Sequence, residues 1–386
     1  MSDSTETQGW QNYLRIKQHL LDLSLFTSEK SKYWEEETSS LDYLIEASPT
    51  LISKLRDHTH WLTGIRSYDY KNHHQHKSQI LFPRYETLRK LDPNLHFYGD
   101  YGVLGDYGFT YEGEMVNIDT LKFFECVMAL NLSGQISRLR NIEKPVIVEI
   151  GAGWGGFLSM LKNYVPKSQL VIVDLPHTLL FSATYLPTVY PDLSVGFFGD
   201  SKFDGDEDLI FVTADQFKSW NPNRIDLAIN MVSFQEMSAS QVSSYSELLL
   251  AKNCSVLYSH NRPKSPHNPE LKNVDDCFSN WPSVQRIKLL DFDYTSIPFT
   301  NSSLDFERSR LRLNKKLLIG KLLRFLIKLT RGRVHKKVNW LVGYTFRPEI
   351  AKFLLKNNTK FVSTSGSNEY QHKLFFSNLD FKNNLK

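Results

Sequence analysis

The densest chemistry in this sequence is Glu149-Ile150-Gly151-Ala152-Gly153-Trp154-Gly155-Gly156, an acid followed by four closely spaced glycines. Such a run can turn sharply from a strand into a helix, and it lets a ligand approach the backbone without meeting a Cβ. The helix opening beyond it offers unpaired N–H groups to an anionic part of a ligand. About twenty residues on, Asp174 ends a second apolar run, where a carboxylate can accept both hydroxyls of a ribose. Two later stretches, Ser233-Phe234-Gln235-Glu236 and Ser259-His260-Asn261-Arg262, gather groups suited to proton transfer and hydroxyl binding.

These residues need a scaffold, and the sequence supplies one after Pro145. Residues 146–150, 170–173, 209–212, 225–229 and 255–258 are short apolar runs separated by helical patterns. That alternation predicts an α/β fold: a Rossmann-like, doubly wound, mostly parallel sheet over about 141–386. Residues 1–140 read as a mainly helical N-terminal domain, a cap that recognises substrate. Within it Asn117 offers an N-cap to a helix running through Leu130. Lys373-Leu374-Phe375-Phe376 reads as a last edge strand.

Gly151, Gly153 and Gly156 satisfy the dinucleotide pattern G-x-G-x-x-G. Three details favour S-adenosylmethionine instead. Glu149 stands where a cationic amino group would be welcome, Gly155 opens the position facing the methionine portion, and Trp154 crowds a turn that a pyrophosphate needs clear. In an open parallel sheet, ligands bind beyond the carboxyl ends of the strands. That rule assigns Glu149, Gly151, Ala152, Gly153, Gly155, Asp174 and Leu175 to the cofactor. It adds Asp215, or its neighbour Ala214, near the adenine, and Asn230 and Met231 beneath the methionine. The bland alternative is a tight strand–helix turn with no ligand.

A hydroxyl acceptor needs its proton removed as the new bond forms. His260 is the first choice of base, because imidazole titrates near neutrality and this position is expected to face the cofactor mouth. Glu236 is second, as base or as the group that orients the acceptor; its bland role is a first-turn acid. Gln235, Asn261 and Arg262 are expected to bind acceptor hydroxyls or charge. In the N-terminal part, Arg66 and Tyr68, with Tyr70 and Arg84, suit a phosphorylated or acidic sugar. Mg²⁺ would lower an acceptor's pKa, yet no motif here supports it. The acidic loop through Asp200, Asp204, Asp206 and Asp208 lacks the features of a calcium loop and reads as a solvated turn. His73, His74 and His76 read as a polar loop rather than a metal site.

The glycine run from Ile147 to Gly156, together with Val171-Ile172-Val173-Asp174-Leu175-Pro176, resembles class I methyltransferases. With Ile229-Asn230-Met231-Val232-Ser233-Phe234-Gln235-Glu236-Met237 added, the sequence is similar more narrowly to bacterial sugar O-methyltransferases. Thr63-Gly64-Ile65-Arg66 and the stretch from Glu112 to Leu121 resemble that family more loosely. The likeness spans about residues 60–262. It implies methyl transfer from S-adenosylmethionine to a hydroxyl of a sugar, nucleotide sugar or glycan, in surface polysaccharide assembly. The rival readings are an NAD(P)-dependent oxidoreductase and a non-catalytic, membrane-associated partner in glycan assembly.

Composition narrows the setting. No run approaches the ~20 apolar residues of a membrane span, and the polar, acidic start has no signal-peptide pattern. Cys126, Cys254 and Cys277 lie in or beside apolar runs without metal spacing, which suits reduced thiols in a cytoplasmic protein. The net charge of +4 is concentrated, since residues 308–337 hold many Lys and Arg and no acid. A nucleic-acid partner is therefore not implied for the chain as a whole. Within that insertion, Leu318, Ile319, Leu322, Leu323, Phe325, Leu326, Ile327 and Leu329 share one helical arc, with Lys321, Arg324 and Lys328 opposite. Such a helix either lies on an anionic membrane, placing the protein peripherally on its inner face, or packs on the sheet.

Overall fold

The computed structural model describes residues 2–25, 35, 38–263, 268, 270–289 and 370–377. Among them the α-helices longer than one turn are α1 (Ser2–Asp22), α2 (Ser78–Arg89), α3 (Ile118–Leu132), α4 (Gln135–Arg140), α5 (Gly156–Tyr164), α6 (Pro176–Val189) and α7 (Ala239–Ala251). A small hairpin pairs β1 (Phe109–Tyr111) with β2 (Glu114–Val116). The remaining strands are β3 (Val146–Ile150), β4 (Gln169–Asp174), β5 (Val195–Phe197), β6 (Leu209–Thr213), β7 (Leu227–Met231), β8 (Val256–Asn261), β9 (Ser283–Ile287) and β10 (Gln371–Phe376). They form one sheet in the order β5-β6-β4-β3-β7-β8-β10-β9.

From β5 to β8 every pairing is parallel, while β10 runs antiparallel to both β8 and β9. The order β6-β4-β3-β7-β8 is the 3-2-1-4-5 of a doubly wound sheet. The fold is thus the expected Rossmann-like α/β arrangement. Its sixth position differs from the dinucleotide-binding order, because a reversed strand occupies it. The segment around Lys373 forms a strand, but it lies inside the sheet instead of at its edge. Its register decides this: Phe375 sits opposite Leu257 on one side and Val284 on the other.

The strands read as continuous apolar runs because both faces are covered. Ile147, Leu170, Ile172, Leu209 and Phe211 pack against residues of the N-terminal 140, such as Leu130 and Phe124. Val148, Val171, Val173, Ile210 and Val212 point the other way, toward Val242 and Leu249 of α7 and toward Phe278. One hydrophobic cluster therefore runs continuously across residue 140.

α3 begins as the sequence suggests. The Asn117 side chain accepts from Thr120 N at 2.9 Å, and Thr120 Oγ1 accepts from Asn117 N at 2.9 Å. α1 lies along α6, tied by Asn12 Nδ2 donating to Thr188 Oγ1 at 3.0 Å. A buried ion pair, Arg56 to Asp100 at 2.7 Å, holds the irregular N-terminal loops. The guanidinium of Arg56 also lies 3.4 Å from the Trp154 ring centroid. The bulky residue of the glycine loop is thus one of the contacts between the N-terminal residues and the sheet. No helix among the described residues is long and apolar enough to cross a membrane, and residues 308–337 lie outside the described residues.

Candidate active site

Strand order reverses between β3 and β7, and a crevice must open where their connections diverge. A cavity of about 630 Å³ lies at that point, within the usual range for small-molecule sites. Its wall includes Gly151, Ala152, Gly153 and Trp154 from the loop after β3, and Asp174 and Leu175 from the end of β4. Ala214 follows β6, Met231 ends β7, and Val232 and Ser233 follow it.

Two glycines here are required by geometry. Gly151 has φ +71°, and a Cβ added to it would stand 2.0 Å from Ser233 Oγ. Gly153 has φ +61° with nothing within 4 Å of its missing Cβ, so its backbone is open to a ligand. Gly153 N donates to Asp174 Oδ2 at 2.8 Å, and Leu175 N donates to Oδ1 at 2.7 Å. Each carboxylate oxygen keeps a further lone pair for the hydroxyls of a diol. Burial pushes the Asp174 pKa up to about 7 in spite of these donors. Glu149 is fully buried, and among the described residues neither of its oxygens has a hydrogen-bond partner. Burial, with Asp174 nearby, raises its pKa well above the usual carboxylate range, against the opposing charge of Lys122. A buried acid without hydrogen-bond donors beneath the glycine loop is a place where a cationic group would be welcome.

Val232 adds strain to the same wall. This β-branched residue has φ +63°, a conformation that costs about 1–3 kcal/mol and persists only where its surroundings enforce it. Val232 N donates to His260 O at 2.9 Å, and Gly151 leaves room for Ser233 beside it.

Glu236 lines the cavity, and its orientation follows from the chain. Gln235 Oε1 accepts from Arg262 N at 2.8 Å, so the amide nitrogen of Gln235 must face away from Arg262. That nitrogen donates to Glu236 Oε1 at 3.0 Å. Gln235 and Arg262 line the cavity as well. Asn261 stands behind them, its amide nitrogen donating to Asn230 Oδ1 at 2.9 Å.

Several expected site residues are placed elsewhere. His260 is fully buried and is not part of the cavity wall. Side chains alternate along β8, so His260 turns to the face covered by α3 while its strand neighbours take the other. Its Nδ1 lies 3.3 Å from Cys126 Sγ, its ring stacks on His372 at 4.3 Å, and Nε2 has no partner among the described residues. Burial, reinforced by His372 and Lys122, holds its pKa well below the usual histidine value. Asn230 is buried too; it donates to Ile150 O at 2.7 Å and accepts from Phe234 N at 2.8 Å. Asn230 and Asn261 therefore shape the floor from behind instead of lining it. Gly155 faces Leu186 of α6. Asp215 is exposed and outside the cavity wall, where Ala214 stands instead. Tyr68 is 55% exposed beside His73 and His74. Tyr70 and Arg84 are buried, so of that cluster Arg66 alone reaches the cavity.

The cavity also contains residues the sequence did not single out: His60, Trp61, Lys122, Gln241, Tyr245 and Tyr370. Asn117 marked the start of α3, which was a signal for Lys122; nothing local marks Tyr370, since only the β8–β10 pairing brings it in. Among the described residues one group could hold a metal, Cys126 with His260 and His372. His372 already uses both nitrogens, with Tyr258 OH at 2.7 Å and Glu125 Oε1 at 2.9 Å. That network pins β10 to α3 across the core.

No family model and no curated protein matches the chain. Solved structures resemble it only in part. The cyclopropane synthase MmaA2 from Mycobacterium tuberculosis is 12% identical with TM-score 0.32, over 78% of this chain and 98% of that one. Phosphoethanolamine N-methyltransferase 2 of Haemonchus contortus, in complex with S-adenosyl-L-methionine, is 11% identical with TM-score 0.31, over 81% and 59%. The bifunctional kinase-methyltransferase WbdD is 15% identical with TM-score 0.32, over 52% and 42%. The fold assignment rests on the strand order, not on these likenesses.

Proposed function

We propose that this chain is an S-adenosylmethionine-dependent O-methyltransferase whose acceptor is a sugar hydroxyl, in bacterial glycan assembly. The observation that carries the reading is the cavity itself, where Gly153 and Asp174 share one wall with the oriented carboxylate of Glu236. Asp174 would take the ribose diol, Ala214 and Leu175 would flank the adenine, and Met231 would border the methionine portion. Buried Glu149 would complement the amino group through its field. The reversed β10 speaks against the dinucleotide rival.

The cofactor would bring an already activated methyl group. The protein's own task is then alignment and proton removal. Glu236 takes the base role in place of His260, because it reaches the cavity and Gln235 holds it in one orientation. Glu236→Gln is expected to lower methyl-transfer kcat by at least about 100-fold, with S-adenosylhomocysteine affinity within about twofold. An unchanged kcat would remove Glu236 from the mechanism. We read residues 308–337, from sequence alone, as a contact with an anionic membrane surface.

A further inference from the structure

The cavity wall is unevenly charged. Besides Asp174 and Glu236 it carries Arg66, Lys122 and Arg262. Lys122 is matched by Asp119 at 2.9 Å. Arg66 and Arg262 have no carboxylate partner among the described residues.

Arg262 is built in rather than free to swing. It is half-buried, its Nε is sealed from water without an acceptor among the described residues, and its guanidinium lies 4.5 Å from the Tyr370 ring centroid. A stacked guanidinium presents its remaining N–H groups edge-on, in the fork that matches a carboxylate or phosphate. The Nε is closed off, so an anionic ligand in the cavity would be met by the terminal Nη groups of Arg262. Its backbone N–H bonds the same Gln235 amide that orients Glu236, so an anion held here has a defined position relative to the base.

Arg66 comes from the opposite part of the chain. The one-turn helix His60–Thr63 stops at Gly64, whose φ of +71° turns the chain, and Ile65 N donates back to Thr63 Oγ1 at 3.1 Å. Trp61, 42% exposed, lines the cavity from that helix and offers a flat face to a sugar ring.

We propose that Arg66 and Arg262 form an anion subsite, and that the acceptor is a sugar carrying a phosphate or carboxylate. The acceptor role rests on the function proposed above; the anion preference stands on the arginines alone.

The test is calorimetry on the full chain with glucose 1-phosphate, glucuronic acid and the neutral methyl glucoside, each with and without saturating S-adenosylhomocysteine. At least one charged probe should bind about tenfold or more tighter than the glucoside, and the two charged arms identify phosphate or carboxylate. R66Q and R262Q should each weaken that probe about tenfold and leave S-adenosylhomocysteine binding unchanged. R66Q is at an exposed position, so it remains informative if R262Q fails to fold. Equal binding of charged and neutral probes, no binding of either charged probe, or indifference to R66Q overturns the subsite, even where S-adenosylhomocysteine binds normally. Arginine-dependent binding of a charged probe without any S-adenosylhomocysteine binding upholds the subsite and overturns the cofactor reading instead.

Discussion

On the proposed function, Asp174 couples the fold to ligand binding through one side chain. Its pKa near 7 means that a substantial fraction is protonated at neutral pH, whereas hydroxyl donors from a ribose need the carboxylate. A ligand that prefers the ionised form must therefore displace a proton below that pH. S-adenosylhomocysteine affinity is expected to rise with pH up to about 7, by as much as about tenfold per unit, and then to level off. Asp174→Asn should bind weakly with no such slope. Calorimetry across that pH range checks both, and a flat wild-type profile would contradict the assignment.

At the scale of elements, β8 and β10 meet α3 through a buried polar cluster. His260 carries a depressed pKa there, so folding keeps it neutral while the unfolded chain can take up a proton. A depressed histidine contributes stability that is present above the unfolded pKa of about 6.5 and lost as pH falls below it. Asp174 acts with the opposite sign, because its raised pKa favours the folded state as pH falls toward the unfolded value near 4. The two partly cancel in the wild-type profile, so comparison with a variant is needed. His260→Asn should cost most near pH 7, and its cost should shrink toward pH 5 by up to about 1.4 kcal/mol per unit. Urea unfolding of both proteins at matched pH values measures this. A cost independent of pH would mean that His260 does not titrate on unfolding.

Across the whole molecule, the N-terminal region is held by Arg56, buried between Asp100 and the rings of Trp154 and Tyr107. Removing one partner of a buried ion pair strands the other. Arg56→Ala is expected to destabilise the protein by roughly 3–5 kcal/mol. It should also weaken S-adenosylhomocysteine binding, because Trp154 loses its support beside the glycine loop. Chemical denaturation with a parallel binding titration reads both effects. The basic insertion is a property at this scale too. Binding to anionic liposomes should weaken steeply with salt and disappear when residues 310–335 are deleted. Equal binding by the deleted form would leave the segment with only a packing role.

Local chemistry was legible wherever the backbone itself makes the site. The glycines that need positive φ, Asp174 at a strand end and the alternation of strands and helices all follow from steric and hydrophobic rules acting over a few neighbouring residues. The capping pair Asn117 and Thr120 belongs with them. The direction of side chains was not legible. His260 and Arg262 lie two apart, yet His260 is fully buried within β8 while Arg262, just past the end of that strand, lines the cavity. Gly155 and Asp215 have the right spacing from the strands, but packing on α6 and a surface turn took them out of the wall. Tyr370 and Trp61 come from segments far apart in sequence, so only pairing across the sheet and packing of the N-terminal residues against it could place them. Local steric and hydrophobic rules therefore set the five central parallel strands, the glycine turn and the acid that faces it. The place of β10 inside the sheet and the polar groups that reach the cavity depend on long-range packing, which no short stretch of sequence encodes.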